Sequence, residues 1–264
     1  MIVISHAHTM TLVLQSWRSD TEPQWVQRCL NSVRQWAAQR HIGYRFEDDI
    51  LFNRVPSVLR NILLDRPQIA TDIARLRWIE HVLATETDTA IWLDADVLVF
   101  APERFKPQIG SEGYLFGREF WAEIDDKKKL RVRQNVHNAF IAAERGNPFI
   151  PYYRHIAERI LNQIQPGPAN GLAPQVVGPK LLNALNSIGQ IPLSSEVAVL
   201  SPLVVKDIAA GGGYALEAMV NAMKKADALP PCAANLCQSV IGNHLDDHTI
   251  NLAIDALQSD DIFA

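Results

Sequence analysis

The run from Ala90 to Phe100 (Ala-Ile-Trp-Leu-Asp-Ala-Asp-Val-Leu-Val-Phe) carries two carboxylates, Asp94 and Asp96, inside an otherwise apolar stretch. A buried strand tolerates unpaired carboxylates badly. The bulky residues before the pair predict a central strand whose carboxyl end delivers Asp94 and Asp96 to a sheet edge. Open α/β sheets bind ligands at that edge. Two hard oxygen donors there suit a divalent cation, Mn²⁺ or Mg²⁺, which in turn grips phosphate oxygens. The chemistry indicated is therefore phosphate-linked.

Positioning such a pair takes a sheet with helices over it. Met10 to Trp17 reads as a first strand. Asp20 or Thr21 could cap a following helix, with Pro23 in its first turn and Trp25, Val26, Cys29, Leu30, Val33, Trp36 and Ala37 at helical spacing. A short strand is expected at Tyr44–Phe46 and irregular or helical chain from Asp48 to Pro67. A second helix from Thr71 carries Ile73, Leu76, Ile79 and Leu83. Gly110 to Arg133 is polar, aromatic and charged and reads as an insertion or lid, with Asp125 to Arg133 an exposed loop. Val136 to Ala143 resumes the apolar pattern. A helix from about Pro148 is expected to bury Phe149, Tyr152, Tyr153, Ile156, Ile160 and Ile164 before Gln165-Pro166-Gly167-Pro168 breaks it. Further helices are expected at Val177–Ile188, Tyr214–Ala226 and Thr249–Leu257, and strands at Ile191–Leu200 and Gln238–Ile241. This alternation defines an α/β sheet.

Bulk properties narrow the classes. At 264 residues, 48% hydrophobic and 20% charged, the chain can bury a full core as a single domain with insertions. A formal charge of -4 offers no general field for nucleic acid. Cys29, Cys232 and Cys237 complete no zinc pattern and read as reduced, buried thiols. With no secretory pattern and no apolar run of about 20 residues, the expectation is a cytoplasmic protein without a transmembrane segment, open to peripheral contact with a membrane-borne acceptor.

The aspartate pair gains specificity from its neighbours. Asp72 and Arg75 lie three apart on the preceding helix and share a face. They either pair locally, for a few tenths of a kcal/mol, or project together towards a ligand near Asp94. Asp72-x-x-Arg75, Ile91-Trp92-Leu93-Asp94-Ala95-Asp96-Val97, Val136-His137-Asn138-Ala139-Phe140, Gly146-Asn147-Pro148-Phe149 and Gly178-Pro179 occur in one order. That ordered set resembles the DXD-type sugar transferases of glycosyltransferase family thirty-two, and extends to the catalytic domains of the large clostridial glucosylating toxins. The resemblance covers about residues 10 to 190.

What the resemblance implies is a GT-A-type, Rossmann-like mixed sheet flanked by helices. Over 1–264 it implies one domain, with a nucleotide-binding half at 10–100 and the acceptor side, lid and C-terminal loop at 101–264. It implies a metal-dependent hexosyltransferase that moves a sugar from a nucleotide-diphosphate sugar, UDP-sugar favoured, to a glycan, lipid-linked or protein acceptor hydroxyl with retention. Asp96 would bind Mn²⁺ (or Mg²⁺) on the diphosphate, and Asp94 would reach the ribose, the sugar or the metal. Asp72 and Arg75 would hold the donor sugar. Trp17 would stack on the base, or else is a core aromatic. Asn138 would touch donor or acceptor, or else is a buried turn amide. His244, in Gly242-Asn243-His244-Leu245-Asp246-Asp247-His248, is the candidate third metal ligand, with Asp246 and Asp247 as alternatives.

Departures from the family pattern are plain. The usual Gly-Gly-Ile-Tyr turn is replaced by Thr85-Glu86-Thr87-Asp88-Thr89-Ala90-Ile91-Trp92, and the first strand lacks the full Ile-His-Gln-Ile-Trp start. Two rival readings remain: a haloacid-dehalogenase-like phosphatase with Asp94 as nucleophile and Asp96 as acid/base, and a non-catalytic nucleotide-sugar-binding protein.

Overall fold

The computed structural model describes residues 10–18, 23–63, 66–163, 173–237, 245–259 and 262–263. The order is β1 (Thr11–Ser16), α1 (Gln24–Gln39), β2 (Gly43–Glu47), a 3-10 helix (Asp49–Arg54), α2 (Ser57–Leu63), α3 (Pro67–Thr85), β3 (Thr89–Leu93), β4 (Val97–Val99), β5 (Tyr114–Ile124) and β6 (Leu130–Glu144). There follow α4 (Phe149–Asn162), α5 (Pro179–Gly189), β7 (Leu193–Ser194), β8 (Val197–Val199), α6 (Pro202–Ala209), α7 (Tyr214–Lys225), β9 (Ala233–Asn235) and α8 (Asp247–Ser259).

A six-stranded sheet runs β2-β1-β3-β6-β5-β7. β2, β1 and β3 are parallel, β6 is antiparallel to β3 and β5, and β7 is parallel to β5. This is the mixed sheet flanked by helices that the sequence led us to expect. Ala90 to Leu93 are buried on both faces of the sheet, which explains the unbroken apolar run. α3, α4 and α5 cover one face, and the first apolar cluster forms there around Trp78, Trp92, Phe116 and Tyr153. Trp78 meets Trp92 edge to face at 6.1 Å, an arrangement that favours aromatic pairs beyond their area alone.

α1 closes the opposite face. Its Val33, Trp36 and Ala37 join Val13, Leu93 and Phe140, while Trp25, Val26, Cys29 and Leu30 join a further cluster with α6, α7 and α8. Trp36 donates its indole N–H to the Phe105 carbonyl at 3.1 Å.

Several expectations need correction. The apolar run does not continue as one strand: β3 ends at Leu93, Asp94-Ala95-Asp96 turns, and β4 enters a second sheet of order β4-β9-β8. Two carboxylates that cannot be buried in a ladder end one strand and begin another. The supposed insertion at Gly110–Arg133 is mostly the long β5–β6 hairpin, in the main sheet. Only one face of that ribbon is buried, so its residues read as polar. Ile191–Leu200 forms two short strands, and α6, with Ser201 capping Val204 N–H, went unpredicted. α3 starts four residues early because Pro67 occupies its first turn. Pro23 is the N-cap of α1 and does not lie inside its first turn. Tyr152 is 51% exposed, because the buried stripe of α4 runs through Ile150, Tyr153, Ala157 and Leu161. The expected features at Asp20, Thr21, Ile164, 165–168 and 238–241 lie outside the described residues.

The three cysteines are free thiols, Cys29 and Cys232 buried and Cys237 half-buried. Among the described residues no helix is long and apolar enough to cross a membrane.

Candidate active site

At the carboxyl end of β3 the chain is held from every side. Asp94 N–H donates to Ala139 O at 2.9 Å, and the Asp94 carbonyl accepts from Gln15 Nε2 at 3.1 Å and from Val97 N–H at 3.0 Å. Gln15, fully buried in β1, is itself oriented by the Tyr44 hydroxyl at 3.1 Å. Leu236 N–H donates to the Asp96 carbonyl at 2.9 Å. The turn is thus fixed through its backbone.

α3 brings Asp72 and Arg75 to this turn. Arg75 Nη1 donates to Asp94 Oδ1 at 2.9 Å and to the Asn138 carbonyl at 2.6 Å, and Arg75 Nη2 lies 3.2 Å from Asp72 Oδ1. Asn138 Nδ2 donates to the same Asp72 oxygen at 2.8 Å. Trp92 gives its indole N–H to Asp94 Oδ1 at 2.6 Å and its ring lies 5.0 Å from the Arg75 guanidinium. Both donors to Asp94 act on Oδ1, so Oδ2 carries no hydrogen bond among the described residues.

A β-bulge makes this geometry possible. Opposite Phe116 the partner on β6 is Ile141, yet opposite the next residue, Gly117, it is His137. The extra residues, Asn138 to Phe140, leave β5 and turn to β3, which re-aims the Asn138 side chain and carbonyl at Asp72 and Arg75. His137 turns the other way and shares a hydrogen bond with the Val197 carbonyl at 3.0 Å, filling space that Gly117 leaves vacant.

Burial sets the protonation. Asp72 and Arg75 are about 95% enclosed, at 5% and 6% exposure. Desolvation raises the Asp72 carboxyl to about 6, and the charge of Arg75 and the Asn138 hydrogen bond only partly offset it. Burial works against the Arg75 charge too, but Asp94 and Asp72 outweigh it and keep the guanidinium cationic. Gly178, the N-cap of α5, closes the cluster: a Cβ there would stand 2.7 Å from Asp72 Oδ2 and 3.2 Å from Asn138 Nδ2.

On the other side of the turn, Asp96 is buried and its Oδ1 accepts from Asn235 Nδ2 at 2.6 Å. Asn235 Oδ1 takes the Cys237 N–H at 2.7 Å.

The structure therefore brings Asp72, Arg75, Asp94 and Asn138 into one connected network and sets Asp96 two residues along the same turn. Trp17 follows β1 and packs, half-buried, against the cluster of α1, α6, α7 and α8. Its indole nitrogen is enclosed without a hydrogen-bond partner among the described residues. His244 lies outside the described residues. Asp246 caps α8 through Thr249 N–H at 2.8 Å, and Asp247 lies in the first turn of α8. Among the described residues no three Cys, His, Asp or Glu side chains converge as a metal cage. Asp94 and Asp96 still offer two hard oxygen donors on one turn. By donor chemistry that pair would suit a small divalent cation.

Gln15, Trp92, Asn235 and Gly178 were not recognised as supports of the site. Gln15 and Asn235 had a signal: each is a lone amide in an apolar strand, and such a residue needs a partner. Gly178 was marked only as part of the Gly178-Pro179 motif, and its contact with Asp72 shows only in space.

No family model and no curated protein matches the chain. Solved structures similar to the chain include two glycosyltransferases. One is a glycosyltransferase involved in glycosylation of the major capsid of PBCV-1, at 11% identity, covering 91% of this chain and 98% of that one, with a TM-score of 0.44. The other is a mutant Drosophila beta-1,4-galactosyltransferase 7 in complex with manganese, UDP-Gal and xylobiose, at 10% identity, covering 61% and 68%, with a TM-score of 0.32. Both likenesses are too distant to bear on this chain's chemistry.

Proposed function

We propose that the chain is a metal-dependent, GT-A-type glycosyltransferase that uses a nucleotide-diphosphate sugar, with UDP-sugars favoured. The observation that carries this reading is the buried Asp72–Arg75–Asn138 network joined through Asp94 to the Asp94-Ala95-Asp96 turn, at the carboxyl ends of the parallel strands. Phosphate-linked ligands sit at such ends. The nucleotide-binding half is taken as 10–100 and the acceptor side as 101–264. Retention of configuration, which the sequence resemblance implies, and a cytoplasmic setting belong to the same proposal.

Within it, Asp96 and Asp94 Oδ2 would hold Mn²⁺ or Mg²⁺, with His244 as a further candidate ligand. When bound, such an ion neutralises charge on the departing diphosphate. The protein's own groups do the rest. Arg75 fixes Asp94 and Asp72 in place, Asp72 Oδ2 and Asn138 present hydrogen-bonding atoms to sugar hydroxyls, and Trp17 borders the base. Orientation of two substrates at one turn supplies the remaining rate gain.

The test is direct. UDP with Mn²⁺ should raise the melting temperature, by linkage, and a panel of nucleotide sugars should release free nucleotide diphosphate. Asp96→Asn is expected to keep the fold and lose turnover at least about 100-fold. Undiminished turnover in that variant, or no protection by UDP with Mn²⁺, overturns the reading.

A further inference from the structure

The β5–β6 ribbon continues past the bulge in regular register, pairing Glu119 with Asn135, Trp121 with Arg133 and Glu123 with Arg131. Directly opposed residues share a face, and residues two apart on one strand share it too. One face of the ribbon sends Phe120 and Ala122 into the cluster with α6, α7 and α8, with Leu130 and Val132 packed against it. The other face carries Glu119, Trp121 and Asn135.

Trp121 is half-buried, yet its indole belongs to none of the three apolar clusters. Nor does it make a hydrogen bond or ring contact among the described residues. The cation opposite it, Arg133, is drawn along the ribbon to Glu123. An indole half-covered on the ribbon, packed in none of the cores and with its N–H not enclosed, presents an amphipathic plate to a ligand.

Two residues back, about 7 Å along the strand, Glu119 is oriented by Asn135 Nδ2 at 2.6 Å. Two residues before Glu119 on the same face, Gly117 lies opposite His137, whose ring reaches the Val197 carbonyl of β8, and β8 pairs with β9, which carries Asn235 to the Asp96 carboxylate. The ribbon face therefore starts against the small sheet whose middle strand holds Asp96 through Asn235, and leads outward to Trp121. The Asp72–Arg75–Asn138 network occupies the other side of the aspartate turn.

We infer that the face bearing Glu119, Trp121 and Asn135 binds the acceptor, and that the acceptor is a carbohydrate: Trp121 stacks on a sugar ring while Glu119 accepts hydrogen bonds from its hydroxyls. This rests on the glycosyltransferase reading and names the substrate class which that reading leaves open. An aromatic plate beside an oriented carboxylate matches the alternating apolar faces and hydroxyl edges of a pyranose. A carboxylate accepts and cannot donate, so it selects a partner rich in O–H donors. The chemistry favours a glycan over a peptide, whose backbone contributes one N–H donor per residue.

The experiment uses the full chain with UDP-glucose and UDP-galactose, Mn²⁺, and acceptors drawn from methyl glycosides, disaccharides and a Ser/Thr-containing peptide. Transfer to one of the sugars is expected. Trp121→Ala and Glu119→Gln should each raise the KM for that sugar about tenfold or more, with kcat changed much less, while UDP with Mn²⁺ still protects both variants against heat. Asn135→Ala should act in the same direction and add little on top of Glu119→Gln. An unchanged acceptor KM in both variants overturns the platform while leaving the glycosyltransferase reading intact, as does transfer to the peptide alone. Absence of UDP protection and of any turnover in the unaltered protein overturns the underlying reading, and the platform with it.

Discussion

At the scale of single residues, two buried titratable groups pull stability in opposite directions. Asp72, moved by desolvation from 3.8 to about 6, keeps a proton in the folded chain that the unfolded chain has already released. Its contribution is therefore fully present below about pH 4 and is lost as pH rises through about 6. His137 is moved by desolvation from 6.5 to about 4, so between those values the unfolded chain takes up a proton that the folded chain refuses. Its contribution is present above 6.5 and lost as pH falls towards 4. The two windows overlap and partly cancel. Urea unfolding from about pH 7 to about pH 4.5 should show Asp72→Asn losing stability on acidification more steeply than the unaltered protein, and His137→Gln less steeply or not at all. Parallel profiles for all three proteins would mean that neither group is buried as described. Protonation of Asp72 also removes one of the two carboxylates that bracket Arg75, so turnover should fall on the acid side with a midpoint near 6.

At the scale of elements, the site depends on how closely the start of α5 approaches α3. Gly178 allows this because it places no atom where Asp72 Oδ2 stands, and Asp72 cannot retreat while Arg75 and Asn138 hold its other oxygen. Gly178→Ala should cost about 1–3 kcal/mol, the usual range for overpacking, and depress turnover along with it. Thermal unfolding provides the check: the cost should shrink when Asp72→Ala is added, because the double variant removes the clash. The same elements explain what could be read from the chain alone. α1, α3, β1 and β3 were legible because burial follows one stripe or covers a whole strand, as with Trp25 to Ala37 and Ala90 to Leu93. The pairing of Asp72 with Arg75 was legible from a spacing of three. The β5–β6 ribbon was not, since residues such as Glu119, Glu123, Arg131 and Arg133 pair across strands on an open face and read locally as loop. The bulge that turns Asn138 towards α3 is a tertiary event with no local signature. The break between β3 and β4 was hidden because both halves are apolar and only the two aspartates mark it.

At the scale of the whole molecule, the six-stranded and three-stranded sheets are joined by a very short link, Asp94-Ala95-Asp96, so the groups proposed to do chemistry also connect the two sheets. α1 spans the same junction, with one half in each core on that side, and Arg28 ties it to α8 through Asn251, Asp255 and Gln258. Site integrity and global stability should then respond together, and Asn235 is where this can be tested. Its amide bridges the Asp96 carboxylate and the Cys237 N–H from the middle strand of the small sheet. Asn235→Ala takes one hydrogen bond from each of these groups in a buried setting and should cost about 1–3 kcal/mol. Asn235→Asp should cost more near neutral pH, where a second carboxylate faces Asp96, and less near pH 4, where one of the two can hold a proton. In both variants the heat protection given by UDP with Mn²⁺ should fall together with the melting temperature, because the Asp96 carboxylate loses the Asn235 amide that helps aim it. A variant as unstable as expected yet fully protected would show that Asp96 acts only as a structural link between the sheets.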